Sequence, residues 1–504
     1  MTEISIQHAT AKYAAKFPGM LFVTLPTGET VSRGGFGSYR VAAGVGEHEQ
    51  ALRAALRSGI NLIDTSTNYA LGESERLVGE IVGKLEQTGE LEPGAAFIVT
   101  KAGYIQGGLL EEAQHGEREG KPIPGVVKYA DGVWHSIHPL FLKDQLHRSL
   151  ERLNRLHVNV LLLHNPEYYL AWARNSGIGL VEARAEFYRR IKRAFEYCEK
   201  AVAQGKISWY GVSSNTFGYL PEHQQFCSLE ECARIADEIA GGEHHFRFAQ
   251  MPLNLLETGA ASSKNSNDAT MTVLEFAEKS DIAVLINRPF NALTEDGALL
   301  RLTTENVGGK TVGAIDAAEL AGRVEQHERR FINEIAGGLN LAHDSLLHLK
   351  INLTAGVGTA AVLHAKPTGD AWSAMLKEQF EPRAIAAITR LREFDNETVA
   401  LWINEYIQLL EKSWNAVSQQ YPAGMNIFAK IEAIAQQTFG ESFTGLPLTQ
   451  ISLRALIHTG GVSAVLVGAR REEYIPDVTQ ALEKSNTMIS SDDWRSYIRE
   501  MTQE

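Results

Sequence analysis

The stretch GINLIDTSTNYALGESERLVGEIV, residues 59–82, decides the fold class of this chain. It contains the apolar run NLIDTS, then a polar loop, then a segment with apolar residues at three- and four-residue spacing. That order predicts a strand, a loop and an amphipathic helix. Repetition of such a unit is typical of a parallel sheet covered by helices.

The same unit occurs eight times along the chain. The predicted strands occupy residues 34–41, 61–66, 96–101, 158–164, 208–213, 246–254, 282–290 and 463–470. Eight units with right-handed crossovers favour a closed (β/α)8 barrel, although the periodicity also fits an open doubly wound sheet. A hairpin is predicted before the first unit, at residues 20–33, where Pro26 to Gly28 provide turn chemistry.

The chain is longer than a barrel requires, with 504 residues against the ~250 typical of that fold. Most of the excess lies at residues 299–445, between the seventh strand and the helix that leads to the eighth, and its apolar spacing predicts a mainly helical subdomain. We expect residues 1–298 and 446–504 to form the barrel. A smaller insertion, residues 104–132, follows the third strand and is predicted to be a loop that borders the active-site face.

The composition narrows the class of partner and the compartment. A net charge of -13 argues against nucleic acid or an anionic membrane as the main partner. The three cysteines fit neither a disulfide framework nor a zinc site, and no apolar signal segment or span of ~18 uninterrupted apolar residues occurs. His135 and His138 lack metal-ligand partners, which predicts solvated or helix-entry histidines. The sequence predicts a soluble cytoplasmic protein without a metal.

Four residues at the ends of successive strands suit chemistry on a carbonyl group. Asp64, Lys101 and His164 end the second, third and fourth strands, and Tyr69 follows the second. Because neighbouring strands lie about 4.8 Å apart, these ends fall within roughly 10 Å of each other. Alone, Asp64 and Tyr69 fit a capping acid and a packing aromatic, and His164 fits a histidine satisfied under a loop.

Together, the four residues favour carbonyl reduction. A hydride added to carbon builds negative charge on oxygen, and Tyr69 is expected to neutralise it as proton donor. Lys101, held by Asp64, is expected to favour the phenolate form of that tyrosine. His164 is expected to act as a second donor to the oxygen.

The chain resembles the aldo-keto reductase family in six motifs that occur in the family's order. These motifs are residues 59–82, then IVTKAG at 98–103, LLLHNPEYYL at 161–170, YGVSSN at 210–215, FAQMPLN at 248–254 and VSAVLVGARREEY at 462–474. The resemblance covers about residues 34–299 and 447–482. It implies an α/β fold of the (β/α)8 TIM barrel type with the helical insertion between strand 7 and helix 7. It also implies a catalytic tetrad of Asp64, Tyr69, Lys101 and His164.

The resemblance further implies a nicotinamide cofactor bound without a Rossmann unit. An Arg fork near the eighth strand suits a 2′-phosphate, which favours NADP (NADPH) and leaves NAD as the alternative. An asparagine stands where family members commonly place an aromatic ring against the nicotinamide. The implied cofactor-binding residues are Ser38, Tyr39, Asp64, Asn165, Ser213, Ser214, Gln250, Asn287, Arg288, Gly468, Arg470 and Asp477.

The sequence therefore predicts an NAD(P)H-dependent oxidoreductase that reduces an aldehyde, ketone or open-chain sugar, or runs the reverse reaction. The alternative is a cofactor-binding sensor or scaffold on the same barrel with slow or no turnover. The predicted partner is a small-molecule carbonyl or sugar substrate. The apolar faces of the helical insertion are expected to pack on the barrel or on a second copy of the chain, which would make a homo-oligomer. Neither nucleic acid nor a membrane is an expected partner.

Overall fold

Eight parallel strands close into a barrel in the computed structural model of the chain. In chain order they are β1 Gly34–Gly37, β2 Leu62–Asp64, β3 Phe97–Ala102, β4 Val158–His164, β5 Ile207–Ser213, β6 Phe246–Pro252, β7 Ala283–Asn287 and β8 Ala464–Val467. Each strand pairs with the next and β8 pairs with β1, so the predicted barrel is confirmed and the open sheet is excluded. The structure describes residues 3–293, 299–302, 317–339, 341, 343–365, 369–394, 396–420, 427–484 and 487–502.

A helix follows each barrel strand. The barrel helices are Gly46–Arg57, Glu73–Gln87, Pro139–Arg152, Leu180–Ala203, Leu229–Ala240, Val273–Lys279, Leu448–Ile457 and Ile475–Ala481. Shorter or terminal helices are Glu3–Ala14, Tyr168–Asn175, Gly259–Ser262 and Ser491–Thr502. The N-terminal helix was not predicted, and it is fixed by the Tyr13 hydroxyl, which donates to the Leu56 carbonyl at 2.5 Å.

The predicted hairpin is present as the strands Phe22–Thr24 and Thr30–Ser32. Its apolar residues Leu25 and Val31 are buried in one cluster with Leu62 and Phe97, which stand at the first positions of β2 and β3. The hairpin therefore closes the amino-terminal end of the barrel. The catalytic groups of such barrels lie at the opposite, carboxyl-terminal end of the strands, which the hairpin leaves uncovered.

The smaller insertion is a folded element rather than the predicted loop. It contains a three-stranded antiparallel sheet and one helix, with bounds Tyr104–Ile105, Gly108–Arg118, Val127–Ala130 and Val133–His135. Its first strand begins two residues after β3 ends. The sheet therefore starts directly at the carboxyl-terminal end of the barrel.

The turn after Tyr69 carries a strained backbone. Ala70 and Leu71 have φ angles of 48° and 55°, the left-handed region in which glycine costs least. We expect Ala70→Gly to raise the free energy of unfolding by up to about 1 kcal/mol, measured by urea denaturation. Ala185→Gly, at an exposed site in the helix Leu180–Ala203, should lower it by about 1 kcal/mol. Equal losses in both variants would contradict the strain.

The chain divides into two compact units, Met1–Thr303 with Glu432–Glu504, and Thr304–Ile431. The predicted insertion limits, residues 299 and 445, remain a prediction, and residues 294–298 beside the first limit lie outside the described residues. The predicted helical character of this region is confirmed. Its helices are Ala317–Arg330, His343–Asn352, Ala355–Ala365, Gly369–Met375, Glu381–Leu391, Glu397–Gln420 and Ile427–Phe439, with π-helical turns at Phe331–Ile335 and Leu376–Phe380 and a 3-10 turn at Ala336–Leu339.

The second unit has its own core and a buried acid that organises it. Phe331, Trp402 and Tyr406 are among its buried apolar residues. The Glu328 carboxylate accepts the backbone N–H groups of Ala355 and Gly356 at 2.8 and 3.1 Å, and the Tyr406 hydroxyl at 2.6 Å. The first two bonds satisfy donors at the start of the helix Ala355–Ala365.

One stretch of the second unit, Ser345–Ala365, is long and apolar enough to cross a membrane by length and composition alone. A core helix of a soluble protein passes the same test, and 33% of the apolar 18-residue window within the stretch is buried inside the structure. Length and composition therefore assign the stretch neither to membrane-spanning helices nor to the core helices of soluble proteins.

Candidate active site

A buried lysine joins the predicted catalytic residues at the carboxyl ends of β2 and β3. Lys101 Nζ donates to Asp64 Oδ2 at 2.7 Å, to the Thr65 carbonyl at 2.8 Å and to Tyr69 Oη at 3.1 Å. These bonds use all three hydrogens of the ammonium group. Gln250 Nε2 donates to the other carboxylate oxygen of Asp64 at 2.7 Å. The lysine is therefore fixed directly behind the phenol oxygen.

The electrostatics of this cluster keep the tyrosine protonated. Burial raises the pKa of Asp64 and lowers the pKa of Lys101, and each shift is opposed by the charge of the other residue. Burial, followed by the Asp64 charge, raises the pKa of Tyr69 well above its ordinary value. The expectation that Lys101 favours the phenolate stays a prediction, and burial and the Asp64 charge act on the pKa of Tyr69 in the opposite direction.

His164 ends β4 and its imidazole lies beside the phenol. The ring centroids of Tyr69 and His164 are 6.0 Å apart in an edge-on arrangement. Burial, then the charge of Lys101, lowers the pKa of His164 well below its ordinary value. The imidazole is therefore neutral at physiological pH and carries one N–H group.

The smaller insertion packs directly on this histidine. His135 Nε2 donates to the His164 carbonyl at 2.6 Å, and the Tyr104 ring stands edge-on to the His164 imidazole with centroids 4.7 Å apart. The Tyr104 hydroxyl accepts from Asn165 Nδ2 at 2.8 Å and donates to the Tyr168 hydroxyl at 2.8 Å. The insertion thus contributes an aromatic wall to the site as well as a support for β4.

The predictions made for His138 and His135 from the sequence have different outcomes. His138 is a helix-entry residue, because its side chain accepts from the Leu140 N–H at the start of Pro139–Arg152. The expectation of a solvated or helix-entry role is wrong for His135, which is 2% exposed because it pairs with Tyr104 in the small sheet above β4. Burial lowers the pKa of His135 to about 4. Among the described residues, no group of His, Cys, Asp and Glu is placed to hold a metal ion.

Several residues assigned to the nicotinamide form one polar network. Ser213 Oγ and Asn287 Nδ2 both donate to Gln250 Oε1 at 3.3 Å, and Gln250 in turn holds Asp64. Ser214 Oγ pairs with Thr216 Oγ1 at 3.1 Å. The Asn287 Oδ1 atom is buried and has no hydrogen-bond partner. A buried acceptor without a donor suits an amide N–H of a bound carboxamide.

Ser38 and Tyr39 lie just past β1, and each contacts a residue of the predicted tetrad. Ser38 is buried and donates to the Asp64 carbonyl at 2.7 Å. Tyr39 is 62% exposed, and its ring stands edge-on to Tyr69 with centroids 5.1 Å apart. Ser38 therefore has a structural partner, whereas Tyr39 borders the phenol from the solvent side.

The residues assigned to the cofactor phosphates lie outside the hydrogen-bonded network around Tyr69. Gly468 and Arg470 follow β8 and are exposed, and Asp477 is exposed on the next helix. No ion pair of Arg470 is present among the described residues, whereas Arg471 approaches Glu47 at 3.6 Å. Arg288, by contrast, is engaged with Glu257 Oε1 at 2.6 Å.

Sequence reasoning missed four residues that shape the site. Tyr104 and His135 come from the insertion and contact His164. Ser66 Oγ lies 3.0 Å from His164 Nδ1, and Gln106 accepts from the Asn68 side chain at 3.2 Å. No helical or alternating pattern was recognised in the segment that contains Tyr104, Gln106 and His135. Periodicity therefore could not predict where these residues lie. Ser66 lies within the motif at the end of β2, and its spacing from the other residues of that motif does not single it out.

Comparison with known proteins gives a family match for most of the barrel. The model of the aldo/keto reductase family matches residues 36–295. The chain is 22% identical over 212 residues to an NADH-specific methylglyoxal reductase of Escherichia coli (strain K12), which covers 40% of this chain and 54% of that relative, so the match spans about half of its length.

Two solved structures are similar at 15% identity and a TM-score of 0.45. They are an aldo-keto reductase from Bacillus halodurans in its holo form, with 95% of this chain and 96% of that chain covered, and a glycerol dehydrogenase from Gluconobacter oxydans, with 96% and 94% covered.

Proposed function

The chain belongs to the aldo/keto reductase family, and from that membership and the Tyr69 cluster we propose that it is an NAD(P)H-dependent carbonyl reductase. The observation that carries the proposal is the contact of 3.1 Å from Lys101 Nζ to Tyr69 Oη, with Asp64 behind the lysine. A protonated phenol beside a fixed cation is a proton donor that acts when charge develops on a nearby oxygen. The proposed substrate is an aldehyde, a ketone or an open-chain sugar.

The protein's share of the reaction is positioning and proton transfer. Gln250 and Asn287 would hold a nicotinamide, which would supply the hydride for the carbonyl carbon. Tyr69 donates its proton to the carbonyl oxygen, and Lys101 stabilises the phenolate as it forms. The same groups run in reverse for alcohol oxidation. Gln250 and Asn287, with the unpartnered Oδ1 atom of Asn287, have the donor and acceptor groups that a carboxamide needs.

The proposal is tested by measuring the oxidation of NADPH and NADH by the purified protein with a panel of aldehydes, ketones and aldoses. Cofactor binding is measured separately by the quenching of tryptophan fluorescence. We expect saturable turnover with at least one carbonyl class. Tight cofactor binding without turnover on any of them would contradict the proposal and favour a sensor or scaffold, which the comparisons do not favour.

We propose that Arg470 binds the 2′-phosphate of NADPH, because it is an exposed guanidinium near the end of β8 with no ion pair among the described residues. Arg470→Ala should weaken NADPH about 10- to 100-fold, the range for hydrogen bonds to a charged group, and leave NADH unchanged. Arg471→Ala is the matched control, since Arg471 faces Glu47. Isothermal titration with both cofactors measures the effect, and equal losses for both would refute the assignment.

We also propose that the protein works in the cytoplasm. Cys198, Cys227 and Cys232 are all buried and free, which suits a reducing compartment. Self-association through the helical insertion stays a prediction.

A further inference from the structure

Glu167 is a buried carboxylate between two segments that carry residues proposed for the nicotinamide. It lies two residues after Asn165, just past β4, and it is 1% exposed. Its Oε1 atom accepts the backbone N–H of Asn215 at 2.9 Å, and Asn215 follows Ser213 and Ser214 at the end of β5. Because β4 pairs with β5, the side chain joins the ends of two neighbouring strands.

The second oxygen of this carboxylate is not compensated. Glu167 Oε2 is buried and has no hydrogen-bond partner among the described residues. A buried carboxylate keeps its charge when a cation or several donors face it, and a missing partner favours the protonated acid. Burial is the largest influence on Glu167 and raises its pKa to about 7. Glu167 therefore stands close to the midpoint between acid and carboxylate at physiological pH.

The ionisable groups that face Glu167 do not titrate near neutral pH. Four of them are neutral there, because burial raises the pKa of each above its ordinary value, and they are Tyr104, Tyr168, Tyr219 and Cys227. The charge of Arg288 lowers the pKa of Glu167, but the Arg288 guanidinium is engaged by Glu257 at 2.6 Å. The carboxylate form of Glu167 thus has no cation of its own among the described residues.

The oxidised and reduced cofactors differ in charge at the group that this site is proposed to hold. Hydride transfer from NADPH leaves a positive nicotinamide ring in NADP⁺, whereas the ring of NADPH is neutral. Unit charges inside a protein interact appreciably over about 10 Å at an effective dielectric constant of about 20. That distance spans neighbouring strand ends, which lie about 4.8 Å apart. A carboxylate between Asn165 and Asn215 therefore acts differently on the two forms of the cofactor.

We propose that Glu167 links a proton to the redox state of the bound cofactor. Its carboxylate form favours the oxidised nicotinamide, and binding of that form releases the proton of Glu167 to solvent. The reduced nicotinamide binds without this release. By reciprocity, a rise in pH tightens the oxidised cofactor relative to the reduced one. The inference rests on the proposed nicotinamide site and does not require turnover of a carbonyl.

The proton release is tested by isothermal titration of the wild-type protein with NADP⁺ and with NADPH at pH 7, each in PIPES and in Tris buffer. The two buffers differ in ionisation enthalpy, so the difference in binding heat counts the protons exchanged. We expect NADP⁺ to release about 0.4 proton more than NADPH, the amount for a pKa that falls by about one unit from about 7. The 2′-phosphate is present in both cofactors and cancels. Equal proton counts for the two would overturn the proposal.

Glu167→Gln separates the charge from the shape of the side chain, because the amide keeps an oxygen for the Asn215 N–H and cannot ionise. In wild type, the dissociation constant of NADP⁺ divided by that of NADPH should fall about fivefold between pH 6 and pH 8.5. In Glu167→Gln the ratio should stay constant. Glu182→Gln is the matched control and should behave as wild type, since Glu182 is exposed on the helix Leu180–Ala203 and solvent screens its charge. A fall that persists in Glu167→Gln would assign the proton to another group and refute the proposal.

The stability of the cofactor-free protein gives an independent readout. The pKa of Glu167 is higher in the folded protein than in the unfolded chain, so this group stabilises the fold less as the pH rises through about 7. Urea denaturation should therefore show wild type losing stability relative to Glu167→Gln between pH 6 and pH 8.5. A difference that does not change with pH would contradict the proposal. Linked proton release in a protein without turnover of any carbonyl would instead refute the reductase function and keep the role of Glu167.

Discussion

Tyr69→Phe is expected to lower the turnover number by about 10²–10⁴, the usual contribution of a general acid, with cofactor affinity nearly unchanged. The substitution removes only the hydroxyl that receives the hydrogen bond of 3.1 Å from Lys101. The ring, with its edge-on contacts to Tyr39 and His164, is kept. The measurement is kcat with the best carbonyl substrate of the panel, beside a fluorescence titration with the cofactor.

Tyr104→Phe is the matched control for that experiment. Tyr104 is also a half-buried tyrosine against His164, and burial raises the pKa of its phenol as it does for Tyr69. Its hydroxyl bonds to Asn165 and Tyr168 instead of the lysine. Its loss should therefore change turnover far less than Tyr69→Phe. A Tyr69→Phe protein that works at the wild-type rate would remove the phenol from the mechanism, although the barrel would stand.

The barrel and the positions of the catalytic candidates were predictable because parallel strands impose them. Apolar runs that end in Asp64, Lys101 and His164 are predicted to be parallel strands, and in an open sheet as in a barrel the carboxyl ends of such strands meet at one edge. The observed register agrees, since Asp64 pairs with Val99 and His164 pairs with Ser213 on neighbouring strands. These are contacts between segments whose periodicity is plain in the sequence. The function assigned to them rests further on motifs that a family shares.

The chemical state of the same residues was not predictable from their order. The pKa of Tyr69 depends on how completely the phenol is buried and on the charge of the nearby Asp64, and neither can be read from a local sequence pattern. The contacts of His164 include Tyr104 and His135, whose segment lacks periodicity and reaches the site only through the fold of the insertion. The sequence thus predicts which groups lie at the strand ends, whereas packing determines the protonation state of each group.

Lys101→Met is expected to lower the free energy of unfolding by about 3–5 kcal/mol at neutral pH, because it leaves the Asp64 carboxylate buried without its cation. Both members of the pair are almost fully buried, with side chains 0% and 5% exposed. Gln250 would remain as a neutral donor to Asp64 and would not replace the charge. Urea denaturation followed by circular dichroism measures the loss.

The pH dependence and a double variant separate this charge effect from lost packing. Without Lys101, burial raises the pKa of Asp64 further above its unfolded value, so the folded variant binds a proton more tightly. Lys101→Met should therefore regain stability as the pH falls through that raised pKa and lose it again as the pH rises. Asp64→Asn combined with Lys101→Met removes both charges, and its loss should be smaller than the sum of the two single losses by about 2 kcal/mol or more. Additive losses, with no recovery in acid, would show that the lysine stabilises the barrel by packing alone.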